Sequence, residues 1–493
     1  MKIGTAIDDM IDLVFAKCES WLDRDADGNS VLIDPHEREA VGHHYALSHF
    51  AAAAVLGSSP NTKRFEEGLA VLRGVLRRWG KDSATPGFHN DFNHFALVLV
   101  HDELERLGLY EEERDAIRRV VLSTADSDHD TVNWLPMRMT ANEARSRWGG
   151  QGRRALETCR KKISKAANAD GLIEDRLPRG TSFNLQYDVS SVALLDLLES
   201  RGIDQPVKLD DAYSALLACV LPDGDINYLG RGCNQVFAWG PWIYLLRRRG
   251  ETSALDLGLG YLSDFLPVML ENENLLLNDL PGADRQLWWD YHYCSVYTAH
   301  LLLWLVLAQK AKPISPVPPS CLTRFSDTGI EILRNDSAMA VTFSGRREYL
   351  AERGPEVAAI WTSRHGAIHK GSFGPWLKAF GFKHSFPGVL LNHFGLLRVG
   401  GHGATSMQPF LVPVSMRISE GRLIIEYKPT RRAPCCLNLP VHPSVDVGDI
   451  AVYADDKSAD LMGMGGIITQ YGFEKIFQTA PHEVDAWRVE ITL

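Results

Sequence analysis

The chain has 493 residues, which is too long for one small core and predicts two or three domains. Hydrophobic residues make up 45% and charged residues 23%, a balance that excludes an intrinsically disordered chain. The net charge of −10, without a Lys/Arg-rich run, argues against a nucleic-acid partner. It remains compatible with an anionic substrate, because a local cationic cleft can lie on an acidic protein.

The N-terminus predicts an amphipathic helix rather than a signal peptide, because Asp8, Asp9 and Asp12 interrupt its apolar residues. The longest apolar run, 301–308, is far shorter than the ~20 residues of a membrane span. We therefore expect no membrane partner and a cytoplasmic protein, or a periplasmic or secreted one if a leader has been removed. The cysteines are too sparse for a disulfide scaffold or a zinc knuckle and contain no CxxC, so we expect reduced, mostly buried thiols.

Residues 1–311 are dominated by apolar residues at helical spacing. Phe65, Leu69, Leu72, Leu76 and Trp79 form one such face. Comparable segments predict roughly ten helices, paired and stacked into a solenoid or a ring. They lie near 7–22, 43–56, 93–107, 111–123, 153–167, 185–198, 211–221, 236–248, 254–270 and 292–311.

The Pro-rich segment 312–320 cannot continue a helix and predicts a semi-rigid linker. After it the apolar period becomes 2, as in Trp487, Val489 and Ile491 near the C-terminus. Residues 418–427 predict a hairpin with a glycine in its turn. The predicted fold class is α+β: a helical domain over 1–311, then an antiparallel β-sandwich domain over 321–493.

Phe88–His94 opens a predicted helix after a Pro-Gly turn and is the first candidate cluster. Two interpretations stay open for Asn90 and His94: contact with a substrate, or helix capping with a buried histidine.

Asn184, Tyr187 and Asp188 form the second cluster, at the spacing that shares one helix face. An amide can hydrogen-bond a substrate carboxylate and a phenol can move a proton, so we favour a catalytic role. The alternative is a helix start with a buried tyrosine.

The third cluster, 223–235, holds Arg231 between two glycines. A guanidinium suits a carboxylate, and Asn234 and Gln235 add amides beside the aromatic surface of Trp239. The alternative is a structural ion pair for Arg231.

Aromatic residues dominate the fourth cluster, which resembles a sugar-stacking platform. Its alternative is an aromatic core at helical spacing. The candidate residues are Trp289, Asp290, Tyr291 and His292.

His365 and His369 stand on a predicted strand end, where one of them can act as a base over the helical domain. Their spacing suits zinc only on a helix, so we expect no metal. Nucleotide-binding and nucleophile-elbow motifs are absent from the sequence, and we expect no cofactor.

The order of parts resembles the heparinase II/III-like and alginate-lyase-like toroid polysaccharide lyases, with an incomplete α/α toroid before a β-domain. The stretches DGLIEDRLPRGTSFNLQYD and DGDINYLGRGCNQVFAWGPW also resemble related uncharacterised toroid glycan enzymes. The resemblance implies an amide at Asn184 or Asn234, a proton-transferring Tyr187 and a carboxylate clamp at Arg231. It also implies a base at His365 or His369.

The resulting hypothesis is β-elimination from an acidic polysaccharide or oligosaccharide. One alternative is hydrolysis by a glucuronidase-like enzyme, with Asp188, Asp225 and Asp290 as the candidate acids. Another is a non-catalytic glycan-binding protein. The sequence does not address the oligomeric state.

Overall fold

A computed structural model describes most of the chain. The described residues are 3–36, 45–82, 89–129, 131–177, 180–230, 232–279, 294–321, 323–345, 356–371, 397–400, 403–407, 409, 411–469 and 471–493. Helices dominate them up to Lys310, and strands dominate from Arg324 onward. None of the helices in these ranges is long and apolar enough to cross a bilayer.

Twelve α-helices occur within the described ranges. They are α1 (Ile3–Ser20), α2 (Ala46–Leu56), α3 (Lys63–Asp82), α4 (Asn90–Leu107), α5 (Glu111–Ser123), α6 (Leu135–Arg147), α7 (Arg153–Ala166), α8 (Leu185–Ser200), α9 (Leu209–Cys219), α10 (Trp239–Arg248), α11 (Thr252–Glu271) and α12 (Cys294–Lys310).

The even-numbered helices form an inner ring and the odd-numbered ones surround it. Each inner helix packs against the next, and α12 packs against α2. Every residue of α2 is buried, as expected for a helix with neighbours on all sides. The outer helix α7 buries only the stripe of Leu156, Cys159 and Ile163, with Ala166 at its end. The ring is therefore closed, which corrects the incomplete toroid implied by the family resemblance.

Inner and outer helices alternate along the chain, so all six inner helices run in the same direction. Their N-terminal ends consequently meet at one edge of the ring, which we call the N-terminal rim. The residues just before α2, α4 and α6 at this rim are Tyr45, His89 and Trp134.

Helix α6 is the inner helix that apolar spacing did not predict. Its buried residues include Thr140, Asn142 and Arg145. Arg145 donates to the Val121 and Thr124 carbonyl oxygens and pairs with Asp126. Hydrogen bonds thus replace apolar contacts on much of its buried surface, which removes the periodic signal.

The strands pair antiparallel throughout the described ranges. They are β1 (Leu22–Arg24), β2 (Ser30–Leu32), β3 (Asp175–Leu177), β4 (Gly180–Ser182), β5 (Arg324–Phe325), β6 (Ile330–Arg334), β7 (Ala338–Phe343), β8 (Glu356–Thr362), β9 (Gly366–Lys370), β10 (Leu397–Gly400), β11 (Gly403–Met407), β12 (Leu411–Ser419), β13 (Arg422–Pro429), β14 (Asn438–Val441), β15 (Ile450–Ala454), β16 (Lys457–Ala459), β17 (Leu461–Thr469), β18 (Gly472–Thr479) and β19 (Trp487–Thr492).

Two five-stranded sheets, β5-β6-β7-β8-β9 and β12-β13-β19-β15-β16, contribute to one apolar core. Ile360 and Ile368 come from the first sheet, and Ile425 and Val489 come from the second. The opposite face of the first sheet, including Val341, joins the core of the helices instead. The first sheet therefore connects the helical part of the chain to the rest of the strands.

The predicted hairpin is confirmed between β12 and β13. Glu420 and Gly421 form its turn with φ values of 51° and 71°, the left-handed pair that matches the twist of hairpin strands. Residues 312–320 contain neither helix nor strand and run along the helices, where Ser320 N donates to the Ser214 carbonyl oxygen.

Candidate active site

The N-terminal rim is lined with aromatic and histidine side chains from different inner helices. Tyr45 stacks on Phe92 with ring centroids 4.2 Å apart, and Phe237 stacks on His300 at 4.2 Å. His89 lies 5.4 Å from Trp134. We call this group the rim cluster, and its members are Tyr45, His49, His89, Phe92, Trp134, Phe237, Tyr297 and His300.

All members of the rim cluster are buried, and two of its histidines lack the partners that buried polar groups normally have. His49 is fully buried and His300 is 3% exposed. Neither ring has a hydrogen-bond partner for its nitrogens anywhere in the described part of the chain. Burial lowers the pKa of His300 to about 3; for His49, burial and then the neighbouring His300 lower the pKa well below its usual value. Both are neutral near pH 7, so each ring offers one donor and one acceptor.

Asn184 caps α8 at the same rim. Its Oδ1 accepts a hydrogen bond from Gln186 N at 3.0 Å, as an N-cap should, and this contact fixes Nδ2 as the remaining donor. The side chain is 2% exposed, and Nδ2 meets no acceptor among the described residues. A Cβ on Gly230, which has a φ of +95°, would lie 2.8 Å from Asn184 Cα, so the glycine permits this close approach.

Tyr187 lies on the first turn of α8 and is half-buried. Its backbone N–H donates to the Asn184 carbonyl oxygen at 3.2 Å. Helix α8 also contacts the short 3-10 turns 132–134 and 236–238, which carry Trp134 and Phe237. The Asn184–Tyr187 pair therefore belongs to the same rim as the aromatic residues.

Asp188 is buried on that same turn. Its Oδ1 accepts from Ile173 N at 3.1 Å, which ties the 167–173 loop to α8. Burial raises the pKa of Asp188 well above its usual value, and the Ile173 hydrogen bond offsets only part of that effect. The Ile173 contact occupies only Oδ1, and Oδ2 has no hydrogen-bond partner among the described residues.

Asn234 and Gln235 hold the loop that leads to α10. Asn234 has a φ of 59°, donates through Nδ2 to the Leu277 carbonyl oxygen and accepts from the Tyr261 hydroxyl. Gln235 is buried, and its carbonyl oxygen accepts from Asn227 Nδ2 at 3.1 Å. Both amides are buried, but Gln235 directly precedes the 3-10 turn that carries Phe237, and its Nε2 meets no acceptor among the described residues, as with Asn184 Nδ2.

Asn90, His94 and Trp239 are likewise interior, whereas His89 and Phe92 of the first cluster belong to the rim cluster. Asn90 donates to the Ala125 carbonyl oxygen at 3.0 Å. His94 bonds the Thr124 hydroxyl, while burial and then Arg145 lower its pKa to about 3. Trp239 is fully buried and stacks on Tyr261 at 4.5 Å.

Two groups of acids and histidines have the spacing of metal ligands, but their carboxylates are already paired with arginines. The first group consists of Asp91, His94 and Asp126. In it, Asp91 contacts Arg138 and Asp126 contacts Arg145. The second group consists of His101, Asp102 and Glu105, and its Asp102 contacts Arg147 and Arg201. These cations disfavour a metal ion at either place.

The two predicted histidines of the strand-rich part have different surroundings. His365 Nε2 lies 3.4 Å from an Asp449 carboxylate oxygen. His369, on β9, lies 3.6 Å from Glu474 and lines a cavity between the strands and α11. These contacts bring neither histidine to the rim cluster.

Lys370, next to His369, reaches into the helical part. Its Nζ lies 2.6 Å from an Asp223 oxygen and 3.2 Å from an Asp225 oxygen, and we call these three residues the interface latch. Burial alone would lower the pKa of Lys370, but Asp225 and Asp223 outweigh it and raise the pKa. Lys370 is therefore held as a buried ammonium by the two aspartates of the latch.

Five predicted site residues lie outside the described ranges and stay predictions: Arg231, Trp289, Asp290, Tyr291 and His292. Conversely, Tyr45, His49 and Trp134 were not singled out from the sequence. The available signal was an aromatic or histidine residue at the start of successive inner helices, which is recognisable only when the ring is known.

No protein-family model matches the chain, and no curated protein does. Among solved structures, an inactive α-1,6-mannanase variant of Salegentibacter sp. HEL1_6 with bound α-1,6-mannotriose is similar at 11% identity and a TM-score of 0.42, covering 62% of this chain and 99% of that chain. A polysaccharide lyase matches at 12% identity and a TM-score of 0.39, covering 62% and 97%. A type II terpene cyclase from Scytonema matches at 12% identity and a TM-score of 0.37, covering 62% and 98%. At this level of similarity the likenesses carry no functional inference.

Proposed function

We propose that this protein is a carbohydrate-active enzyme whose active site is the N-terminal rim, and that it cleaves a uronate-containing polysaccharide or oligosaccharide by β-elimination. The observation that carries the proposal is the buried Asn184 amide, whose Nδ2 donor is unused among the described residues beside Tyr187. Buried donors are rarely left unpaired, so a ligand acceptor is the natural partner.

Elimination begins with removal of the proton from the sugar carbon that carries the uronate carboxylate. The proton becomes acidic only when the carboxylate charge is masked, and preorganised donors do this most effectively. Asn184 Nδ2 and the positive N-terminal end of α8 supply such a donor and a favourable field. The Tyr187 side chain, one turn further on, accepts the proton from this carbon and returns it to the glycosidic oxygen, whose C–O bond breaks as the C=C bond forms.

The aromatic residues of the rim cluster suit the remainder of a sugar substrate. Trp134 and Phe237 are 6% and 5% exposed, so each can offer a sugar ring only its outer edge. Neutral His49 and His300 can exchange hydrogen bonds with hydroxyl groups without adding charge.

Hydrolysis would require two carboxylates flanking the scissile bond, separated by ~5–5.5 Å or ~6.5–9.5 Å. Of the candidate acids, Asp188 is bound to Ile173 and Asp225 belongs to the interface latch. Asp290 lies outside the described residues. Because Asp225 is already paired with Lys370, this pair of acids is poorly suited to hydrolysis, and we favour elimination.

The reaction is tested with a panel of acidic polysaccharides, followed by the ultraviolet absorbance of unsaturated uronate and, in parallel, by reducing ends. Elimination predicts that both signals rise. Reducing ends without absorbance would indicate hydrolysis, and binding without either product would indicate a glycan-binding protein. Either of these last two results would overturn the proposal.

Asn184→Asp tests the donor directly. Aspartate keeps the N-cap but replaces the donor with a buried, repelling carboxylate, so we expect kcat to fall about 10²–10³-fold. The unpaired buried charge should also lower stability at neutral pH, so denaturation is measured beside activity. The matched control is Asn335→Asp, since exposed Asn335 makes the same type of contact with Ser337 N far from the rim.

Tyr187→Phe tests the proton-transfer step and should abolish the absorbance signal. Tyr110→Phe is its control, because the Tyr110 hydroxyl bonds Glu66 on the outer helices. Full activity of Tyr187→Phe would remove the phenol from the mechanism.

A further inference from the structure

The cavity between α11 and the strand-rich part is separate from the rim cluster and has a volume of about 520 Å³. That size lies within the range of small-molecule sites, roughly 300–1,000 Å³. Side chains from both parts of the chain line it, including Tyr261 of α11 and Tyr471 just before β18. Its walls are therefore formed only when the two parts are assembled.

Acidic groups dominate its lining. Among the described residues, five carboxylates face it with a single ammonium, Lys370, and this ammonium is already paired in the interface latch. The carboxylates belong to Asp223, Asp256, Asp264, Asp279 and Glu474. The cavity therefore has a negative potential that attracts cations.

Glu474 is the feature that points to a ligand. It is 3% exposed, and its Oε1 lies 3.6 Å from His369 Nδ1. Its Oε2 has no hydrogen-bond partner within the described ranges. A buried carboxylate oxygen without a donor is costly, so it indicates a site for a donor supplied from outside.

The size and the aromatic walls favour an organic cation over a bare metal ion. Within the described part of the chain, the acids and histidines of this cavity do not bring three ligand atoms together as a metal ion requires. Tyr261 and Tyr471 already attract a cation, since Lys370 Nζ lies 4.9 Å and 5.3 Å from their ring centroids.

We propose that this cavity binds a small organic molecule carrying a primary ammonium group, with Glu474 Oε2 accepting its N–H donors. The exposed carboxylates of Asp256, Asp264 and Asp279 draw the cation towards the opening. Amino sugars and polyamines share this chemistry. The proposal is independent of the reaction at the rim.

Isothermal titration calorimetry on the full chain at pH 7 tests it, with D-glucosamine and spermidine as probes and D-glucose as the neutral match of the first. We expect at least one ammonium compound to bind, glucose not to bind, and affinity to fall as salt rises. Binding of only one ammonium probe identifies the source as amino sugar or polyamine. Equal binding of glucose, or no binding of either ammonium probe, overturns the proposal.

Glu474→Gln keeps the shape and removes the charge, so affinity should fall about tenfold or more. Glu157→Gln, on the exposed face of α7, is the control and should leave affinity unchanged. Asp264→Asn, exposed at the opening, should weaken binding less and mainly at low salt. This second variant keeps the test valid if Glu474→Gln misfolds.

Calcium chloride is titrated as a further probe. Binding of Ca²⁺ that depends on Glu474 and prevents ammonium binding would assign the site to a metal and overturn the proposal. Ammonium binding that is unaffected by Glu474→Gln in a folded variant would also overturn it.

Discussion

The rim cluster and the interface latch both bury polar groups, but they treat them in opposite ways. In the latch, Lys370 contacts both Asp223 and Asp225, so the two carboxylates share one ammonium as counter-ion. At the rim, Asn184 Nδ2 and the ring nitrogens of His300 have no partners among the described residues. Paired burial stabilises a fold, whereas unpaired burial costs stability and persists where a ligand completes the contacts.

Lys370→Met gives the largest expected effect because it breaks the latch. It leaves Asp225 buried without its counter-ion, and we expect the free energy of unfolding to fall by about 3–5 kcal/mol. Chemical denaturation at pH 7 measures this loss. The difference in unfolding free energy between the wild type and Lys370→Met should become smaller as the pH falls, because the Asp225 carboxyl group, without its counter-ion, takes up a proton.

Lys457→Met is the control for this prediction, since Lys457 is exposed on β16. Equal stability of the two variants would mean that the latch contributes nothing and would remove the contrast between the regions.

His300→Phe should increase the stability of the protein, whereas Lys370→Met decreases it. Phenylalanine keeps the stacking on Phe237 and removes two unpaired buried nitrogens, so unfolding should require about 1–3 kcal/mol more. The same change should lower polysaccharide binding. Thermal or chemical unfolding, measured beside binding, checks both parts.

The pH dependence sharpens this prediction. The pKa of His300 is lowered to about 3, so the folded protein resists its protonation and loses stability as the pH falls through 6.5 towards 3. His300→Phe lacks this loss, and its advantage should grow in acid. If the stability difference between His300→Phe and the wild type became smaller in acid, His300 would not have the lowered pKa assigned to it.

His101→Phe is the matched control for His300→Phe. His101 is also buried, but its nitrogens contact Asp102 and Arg118. Its replacement should therefore destabilise the protein.

Asp188→Asn is expected to have the smallest effect. Asparagine keeps an acceptor for Ile173 N but cannot ionise. Burial raises the folded pKa of Asp188, so the wild type loses stability as the pH rises from 3.8 through that raised value. The variant should become relatively more stable towards neutral pH, as urea unfolding at several pH values would record. A pH-independent difference would show that Asp188 does not titrate in this way.

The sequence predicted features that depend on local periodicity. Apolar residues at helical spacing, such as Leu69 and Leu72 in α3, identified the helices. The change to period 2 identified the strands, and a glycine identified the β12–β13 turn. It missed α6, where buried Arg145 is satisfied by hydrogen bonds rather than by apolar contacts.

Within the candidate site, spacing predicted Asn184, Tyr187 and Asp188 on one helix face. In the structure only Tyr187 and Asp188 are helical, and Asn184 is the N-cap of α8 with an extended backbone. The spacing gave no indication that Asp188 is buried against Ile173. The sequence indicates on which face of a helix a side chain lies. The partner of Asp188, however, comes from the loop before α8, which the helix pattern does not describe.

The sequence by itself determined most of the helices before residue 311, the change to strands after residue 320 and which short segments concentrate amides, acids and aromatic rings. Only the tertiary structure decided that the inner helices close into a ring, so that Tyr45 from the beginning of the helical part meets His300 near its end. It also decided which buried polar groups are paired. Both outcomes depend on contacts between residues far apart in the chain, and local residue patterns carry no information about those distances.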